Sequence, residues 1–315
     1  MPAFMTHTIL GDEVFSSLPD DVKAMLFPKY AAYSWGLIGP DLLFFRNVMT
    51  GRSPLPLYGS TMHRSRVQEL FRAMFDFLSS RRGYPEYPAL LAYCCGFVCH
   101  YRLDSIAHPF VYSLQRRQDG MTLDRRRGGA HHRIEADLDT AVFRYLTGLS
   151  PAAVKLRGRL SLDSGAALGV GRLYEAVLAG VYGISVPPQE IAKCFSDALR
   201  IECLLLDPTG WVMETLTGAV DRFSNKSPLS AHVVKKQVGY DVLNLGHEPW
   251  RRGAVNGETL NDSFMDLYRR AAEQSAGDVT ALCRSQRDGG EFRLLCREPF
   301  DHDGDAGVYR KEERQ

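Results

Sequence analysis

The sequence predicts an all-α protein, a multi-helix bundle, and three observations carry the prediction. Apolar residues recur at helical spacing in one segment after another. No stretch sustains the two-residue alternation of a half-buried strand. Breaks at Leu18-Pro19, Phe27-Pro28, Pro187-Pro188 and Asp207-Pro208 separate the helical segments.

In the first sixty residues Thr6 and Asp12 are placed to start or cap short helices, and the run from Gly36 to Asp41 reads as a turn feeding an apolar stretch. From His63 to Arg82, Val67, Leu70, Phe71, Met74, Phe75 and Phe77 form one apolar face, with His63 at the N-terminal end of that helix, beside a turn. The central segment, Tyr93 to Phe110, is apolar but carries His100, Asp104 and His108. Pro109 biases its predecessor away from helical geometry, so the helix is expected to loosen or end there.

Arg116 to Ala130 reads as a basic, glycine-containing loop, in which Arg125, Arg126 and Arg127 could meet a phosphate but as a charge run read first as a solvated surface. A helix restarts at His131 with Ile134, Leu138, Val142 and Tyr145 as its stripe. Beyond residue 150 helical periodicity covers 167–182, 187–205, 207–224 and 259–276. Gly169 to Gly171 (GVG) follows no strand, which excludes a dinucleotide fingerprint. Asp301, Asp303, Asp305 and Glu312 have calcium-loop spacing, but Ala306 occupies the glycine position, and residues 299–315 read as a flexible tail. The organisation expected is one domain over 1–315, with 1–148 as a metal-binding half and 149–298 as supporting helices.

Composition narrows the function. Against 38 Lys and Arg stand 37 Asp and Glu, a net charge of +1, which argues against holding nucleic acid by bulk charge, and no stable nucleic-acid partner is expected. The opening residues lack the order of a secretory signal and no apolar run is long enough to span a bilayer, so a cytoplasmic chain is expected. Seven cysteines without a CxxC pair read as reduced thiols rather than a disulfide framework.

The chemistry lies in the histidines. His100 and Asp104 are four apart and share a helix face; His131 and Glu135 repeat that spacing on a second helix, with Asp139 one turn further. Of nine histidines, His7, His63, His100, His108 and His131 fall in the first 135 residues together with Asp41, Asp104 and Glu135. That set exceeds what one tetrahedral ion needs, and it points to two or three metals bridged by carboxylates, the arrangement suited to phosphoester hydrolysis.

The order of these residues resembles the bacterial zinc-dependent phospholipases C, which share an all-helical fold with single-strand-specific zinc nucleases. The likeness rests on an early His after Thr (His7), an Asp in a turn (Asp41), a His beside a helix (His63), an HYxxD run and a following His (His100, Asp104, His108) and a final HxxxE (His131, Glu135). It implies two or three zinc ions. Asp41, His63, His100 and Asp104 would hold one, Asp104 would bridge to a second that uses His7, and His108, His131 and Glu135 would hold the third. It further implies Asp41 as the catalytic base for a metal-bound water. Asp139 is a candidate for fixing the His131 ring, the alternative being a plain surface residue. The substrate implied is a phospholipid or other phosphodiester, met in transient contact with a membrane surface and split to diacylglycerol and a phosphorylated head group. Leu42 and Ser60 stand where the family has aromatics that cage choline, so no choline preference is implied. Two other functions fit the same ligands: a nuclease or nucleotidase, for which Tyr93, Tyr101, Phe110 and Tyr112 are candidate stacking platforms, and a non-catalytic, metal-stabilised scaffold.

Overall fold

The computed structural model describes residues 4–46, 52–121, 129–149, 160–205, 238–254, 257–296 and 298–304. Among them are ten α-helices: α1 (Phe4–Ser17), α2 (Asp20–Leu26), α3 (Tyr30–Gly36), α4 (Leu55–Arg64), α5 (Val67–Ser80), α6 (Tyr87–Met121), α7 (Gly129–Thr147), α8 (Ser164–Tyr182), α9 (Pro188–Leu205) and α10 (Phe264–Asp288). Tight 3-10 turns cover 27–29 and 39–45, and a short antiparallel ladder pairs Trp250 with Leu260 and Arg251 with Thr259. The protein is mostly helical, as expected. The stretch 207–224 and Arg125 to Arg127 lie outside the described residues.

The bundle is arranged around α6, whose stretch from Leu90 to Cys99 is buried, so that α6 touches neighbours on several sides. Helix α10 presents Leu267, Ala271, Ser275, Val279, Leu282 and Gln286, a face of helical period, and starts in a capping box between Ser263 and Asp266. Helix α3 crosses α6 backbone to backbone: a Cβ on Gly36 would lie 2.1 Å from the Tyr93 carbonyl oxygen, and one on Gly96 2.1 Å from that of Tyr33. Only glycine fits either position. The crossing delivers the 39–45 turn, with Asp41, to the part of α6 one turn beyond Gly96, where His100 stands.

Several local expectations are corrected. Thr6 and Asp12 lie inside α1 rather than at its start, because the buried Phe4, Met5, Thr6, His7 and Thr8 form its first turns. His63 belongs to the last turn of α4 and is buried; the chain breaks after it, at Ser65 and at Arg66 with φ 54°, before α5 begins. Tyr145 is exposed instead of completing the α7 stripe. The last helix begins at Phe264 and runs on to Asp288, because residues 259–260 pair as strand.

Helix α6 also neither ends nor loosens at Pro109 but continues to Met121. Proline's missing N–H leaves the Ser105 carbonyl, one turn back, without its helical donor. His302 supplies one: its Nε2 lies 2.8 Å from that oxygen. His302 is part of the expected flexible tail, whose residues 300–302 are packed, with Phe300 and His302 fully buried. Residues 305–315, including Asp305 and Glu312, lie outside the described part.

Candidate metal centre

Four of the five singled-out histidines (His7, His63, His100 and His108) are buried with Asp41, Asp104 and Glu135, and His131 is half-buried. Ligand atoms of Asp41, His63, His100 and Asp104 all lie within 4.8 Å of one another, and so do those of His108, His131 and Glu135. Asp104 links the groups: Oδ1 is 3.1 Å from His7 Nε2, while Oδ2 is 3.1 Å from His100 Nε2 and 3.9 Å from His63 Nε2. Asp41 Oδ1 is 3.0 Å from His63 Nε2. Glu135 Oε1 is 3.1 Å from His131 Nε2 and 3.7 Å from His108 Nε2.

Four of the five histidine rings are turned the same way. Nδ1 of His63 donates to the Gly59 carbonyl at 2.7 Å, that of His100 to Leu37 at 3.0 Å, that of His108 to Phe300 at 2.7 Å, and that of His131 to the Gln115 side-chain oxygen at 3.2 Å. A proton held at Nδ1 by an oxygen leaves the Nε2 lone pair as the ligand atom, which is how ligating histidines are oriented. Local sequence explains part of this. Gly59 lies one turn before His63 on α4, and Leu37 follows α3 at the glycine crossing. Gly39, with φ +55°, allows the turn to lie against His100: a Cβ there would be 2.3 Å from the ring.

Burial alone would push His63 and His108 down, but the carboxylates outweigh it. Asp41 and Asp104 raise His63, and Asp104, Glu135 and Asp301 raise His108 to about 10. Burial likewise opposes ionisation of Asp104 and Glu135, yet the surrounding imidazoles hold both well below the usual carboxylate range. Without metal, the centre therefore balances buried carboxylates with imidazolium charge.

That balance leaves ligand capacity unused. His7 Nδ1, His100 Nε2, Asp41 Oδ2 and Asp104 Oδ2 are buried side-chain atoms without a hydrogen-bond partner in the structure. Three of the four face the same few ångströms, a costly arrangement unless a cation satisfies them. Oxygen and imidazole donors in these numbers fit zinc. A cleft opens beside His7, Asp104, His108 and Glu135, and Leu103, Leu138 and Phe264 form its apolar wall.

Asp139 does not touch His131 in the way expected. Its carboxylate accepts the backbone N–H groups of Met5 and Thr6 at 3.0 and 2.7 Å and the Thr6 hydroxyl at 2.7 Å, so it anchors the start of α1, which carries His7. Burial pushes that carboxyl up to about 7. Sequence reasoning also missed His132, whose Nδ1 lies 3.3 Å from Glu135 Oε2, and Gln115, which holds His131. The adjacent His131-His132 pair was the only local signal for the first.

The fold and centre define a class: a mostly helical protein with buried His and carboxylate groups able to hold several metal ions. Residues 6–172, just over half of the 315-residue chain, match the family described as zinc-dependent phospholipase C, and the chain belongs to that family. No curated protein and no solved structure matches the chain.

Proposed function

We propose that this protein is a zinc-dependent phosphodiesterase of the phospholipase C type. Its expected substrate is a phospholipid cleaved on the glycerol side of the phosphate, and its products are diacylglycerol and a phosphorylated head group. Family membership supports the hydrolytic class. The observation that carries the reading is the Asp104 carboxylate, whose two oxygens face different histidines and so join the ligand groups into one centre.

Asp41, His63, His100 and Asp104 would hold one ion, His7 and Asp104 a second, and His108, His131 and Glu135 a third; two or three are expected. Zinc, when bound, supplies positive charge to phosphate oxygens and acidifies water. Asp41, one of the residues grouped with His63, His100 and Asp104, orients the attacking water and accepts its proton. The apolar wall of Leu103, Leu138 and Phe264 keeps bulk water from one side of the centre, which strengthens the action of fixed charges there. The reading includes transient contact with a membrane surface; no helix among the described residues is long and apolar enough to cross one. A cytoplasmic setting agrees with the free thiols of Cys94, Cys95, Cys99, Cys194, Cys283 and Cys296.

A nuclease would stack bases on aromatic rings. Tyr93, Tyr101 and Phe110 are sealed in the core and offer no face to a base; only Tyr112 of that set is partly exposed. The test uses zinc-loaded protein on a chromogenic phosphodiester, on phospholipid micelles and on single-stranded DNA. Release of diacylglycerol supports the proposal. Cleavage of DNA alone moves the function to nucleic acid, and turnover of none of the three with zinc bound leaves a metal-stabilised scaffold.

A further inference from the structure

The segment 298–304 lies outside the residues that match the family, yet it touches the centre. Its backbone and side chains reach two of the ligand-bearing helices. The Phe300 and Asp301 N–H groups donate to the His63 carbonyl at 3.0 and 3.2 Å, an oxygen that the end of α4 leaves without a helical donor. The Phe300 carbonyl accepts the Nδ1–H of His108 at 2.7 Å, closer than the Asp104 carbonyl one turn back on α6 at 3.1 Å. The Phe300 ring is fully buried, 5.3 Å from the His63 ring and 5.8 Å from that of His100. Asp301 accepts from Tyr112 on α6 and from Arg64 on α4, and the Glu298 carbonyl accepts the Tyr101 hydroxyl. His302 donates to the Ser105 carbonyl that Pro109 leaves unpaired.

We infer that residues 298–304 form a strap that positions the metal centre: His302 splints α6 across Pro109, between Asp104 and His108, and the Phe300 carbonyl fixes His108 as an Nε2 ligand. His302 and Phe300 are positioning residues; neither belongs to the ligand groups. The geometry explains how a proline is tolerated one residue after a ligand. A helix kinked there would swing His108 away from Glu135, whose Oε1 is 3.7 Å from the His108 Nε2. With the carbonyl of Ser105 satisfied from outside the helix, α6 stays continuous and carries His100, Asp104 and His108 at successive turns.

The metal half of this inference rests on the zinc reading above; the splint half does not, and the experiment separates them. His302→Leu and His302→Gln are made in the full chain, since a glutamine side chain can still donate to Ser105. Peptide-level hydrogen exchange on zinc-free protein reports α6 directly, and His302→Leu is expected to speed exchange over residues 105–113 while His302→Gln stays close to the parent. Zinc affinity is then read by chelator competition. His302→Leu should weaken the ion held by His108, His131 and Glu135 by about 10–100-fold, the usual cost of removing support behind a ligand, with His302→Gln within about threefold of the parent. Should His302→Leu not fold, Asp301→Ala, which releases the strap from Tyr112 and Arg64, takes its place with the same expectations.

Unchanged exchange together with unchanged zinc affinity in the Leu variant overturns the inference. Equal loss in the Leu and Gln variants overturns the hydrogen-bond assignment. Parent protein that binds no zinc sinks the phosphodiesterase proposal, and the exchange result alone then decides the strap.

Discussion

Gly39→Ala tests whether the turn that carries Asp41 must lie against His100. The added carbon would sit 2.3 Å from His100 Cδ2 and 2.6 Å from Cγ, both well inside the 3.4 Å at which ordinary contact begins. Backbone conformation costs about 1–2 kcal/mol, because φ is +55° and alanine does not favour it. Overpacking adds about 1–3 kcal/mol. The ring has little room to retreat: it stacks on His7 with centroids 4.3 Å apart, and moving it breaks the Nδ1–H bond to Leu37, worth about 1 kcal/mol more. The sum is a loss of roughly 3–6 kcal/mol, read by denaturant unfolding of zinc-free protein. Zinc affinity should fall together with stability, by about 10–100-fold for the ion that uses His100. Gly183→Ala supplies the control: φ is +69°, nothing lies within 4 Å of the new carbon, and only the backbone cost of about 1–2 kcal/mol is expected, with zinc affinity unchanged. A Gly39→Ala protein as stable as the Gly183→Ala control, with parental zinc affinity, would refute the reasoning.

Two further predictions concern the ligands themselves. Asp104→Asn should reduce bound zinc by at least one ion, measured by elemental analysis of dialysed protein, and lower phosphodiester turnover roughly 10²–10³-fold; full retention of both would remove Asp104 from the centre. Zinc loading should release protons at pH 7 to 8, because His63 and His108 have raised pKa values without metal, about 10 for His108, and must give up a proton to ligate. The imidazolium contribution to apo stability is complete below the unfolded histidine pKa and is lost as pH rises through about 10, so apparent zinc affinity should climb with pH over that window; calorimetry in buffers of different ionisation enthalpy that detects no proton release contradicts this.

The extent to which the chain could be read in advance follows the range of the interactions involved. Helix spacing is local: His100 with Asp104, and His131 with Glu135, declare a shared face by their separation, and the structure brings these pairs together with Asp41, His63 and His108. The partners of those residues are not local. Asp139 sits on the His131 face in the sequence, but it is spent on the start of α1, more than 130 residues away. The α3–α6 crossing depends on Gly36 and Gly96, two glycines whose meaning appears only when their backbones touch.

Pro109 shows the same limit most sharply. Taken locally, a proline inside a helical pattern removes a donor and ends or kinks the helix. That rule holds only while the orphaned carbonyl stays orphaned. Here an imidazole 197 residues from Ser105 takes the donor's place, and a segment that looks like a charged tail becomes part of the support for the centre. The sequence does carry a trace of this: Phe300 and His302 are a bulky apolar residue and an imidazole set among Asp301, Asp303 and Asp305. A solvated tail has no use for the phenyl ring. Its burial against His63 and His100 ties the C-terminal segment to candidate ligands two hundred or more residues earlier.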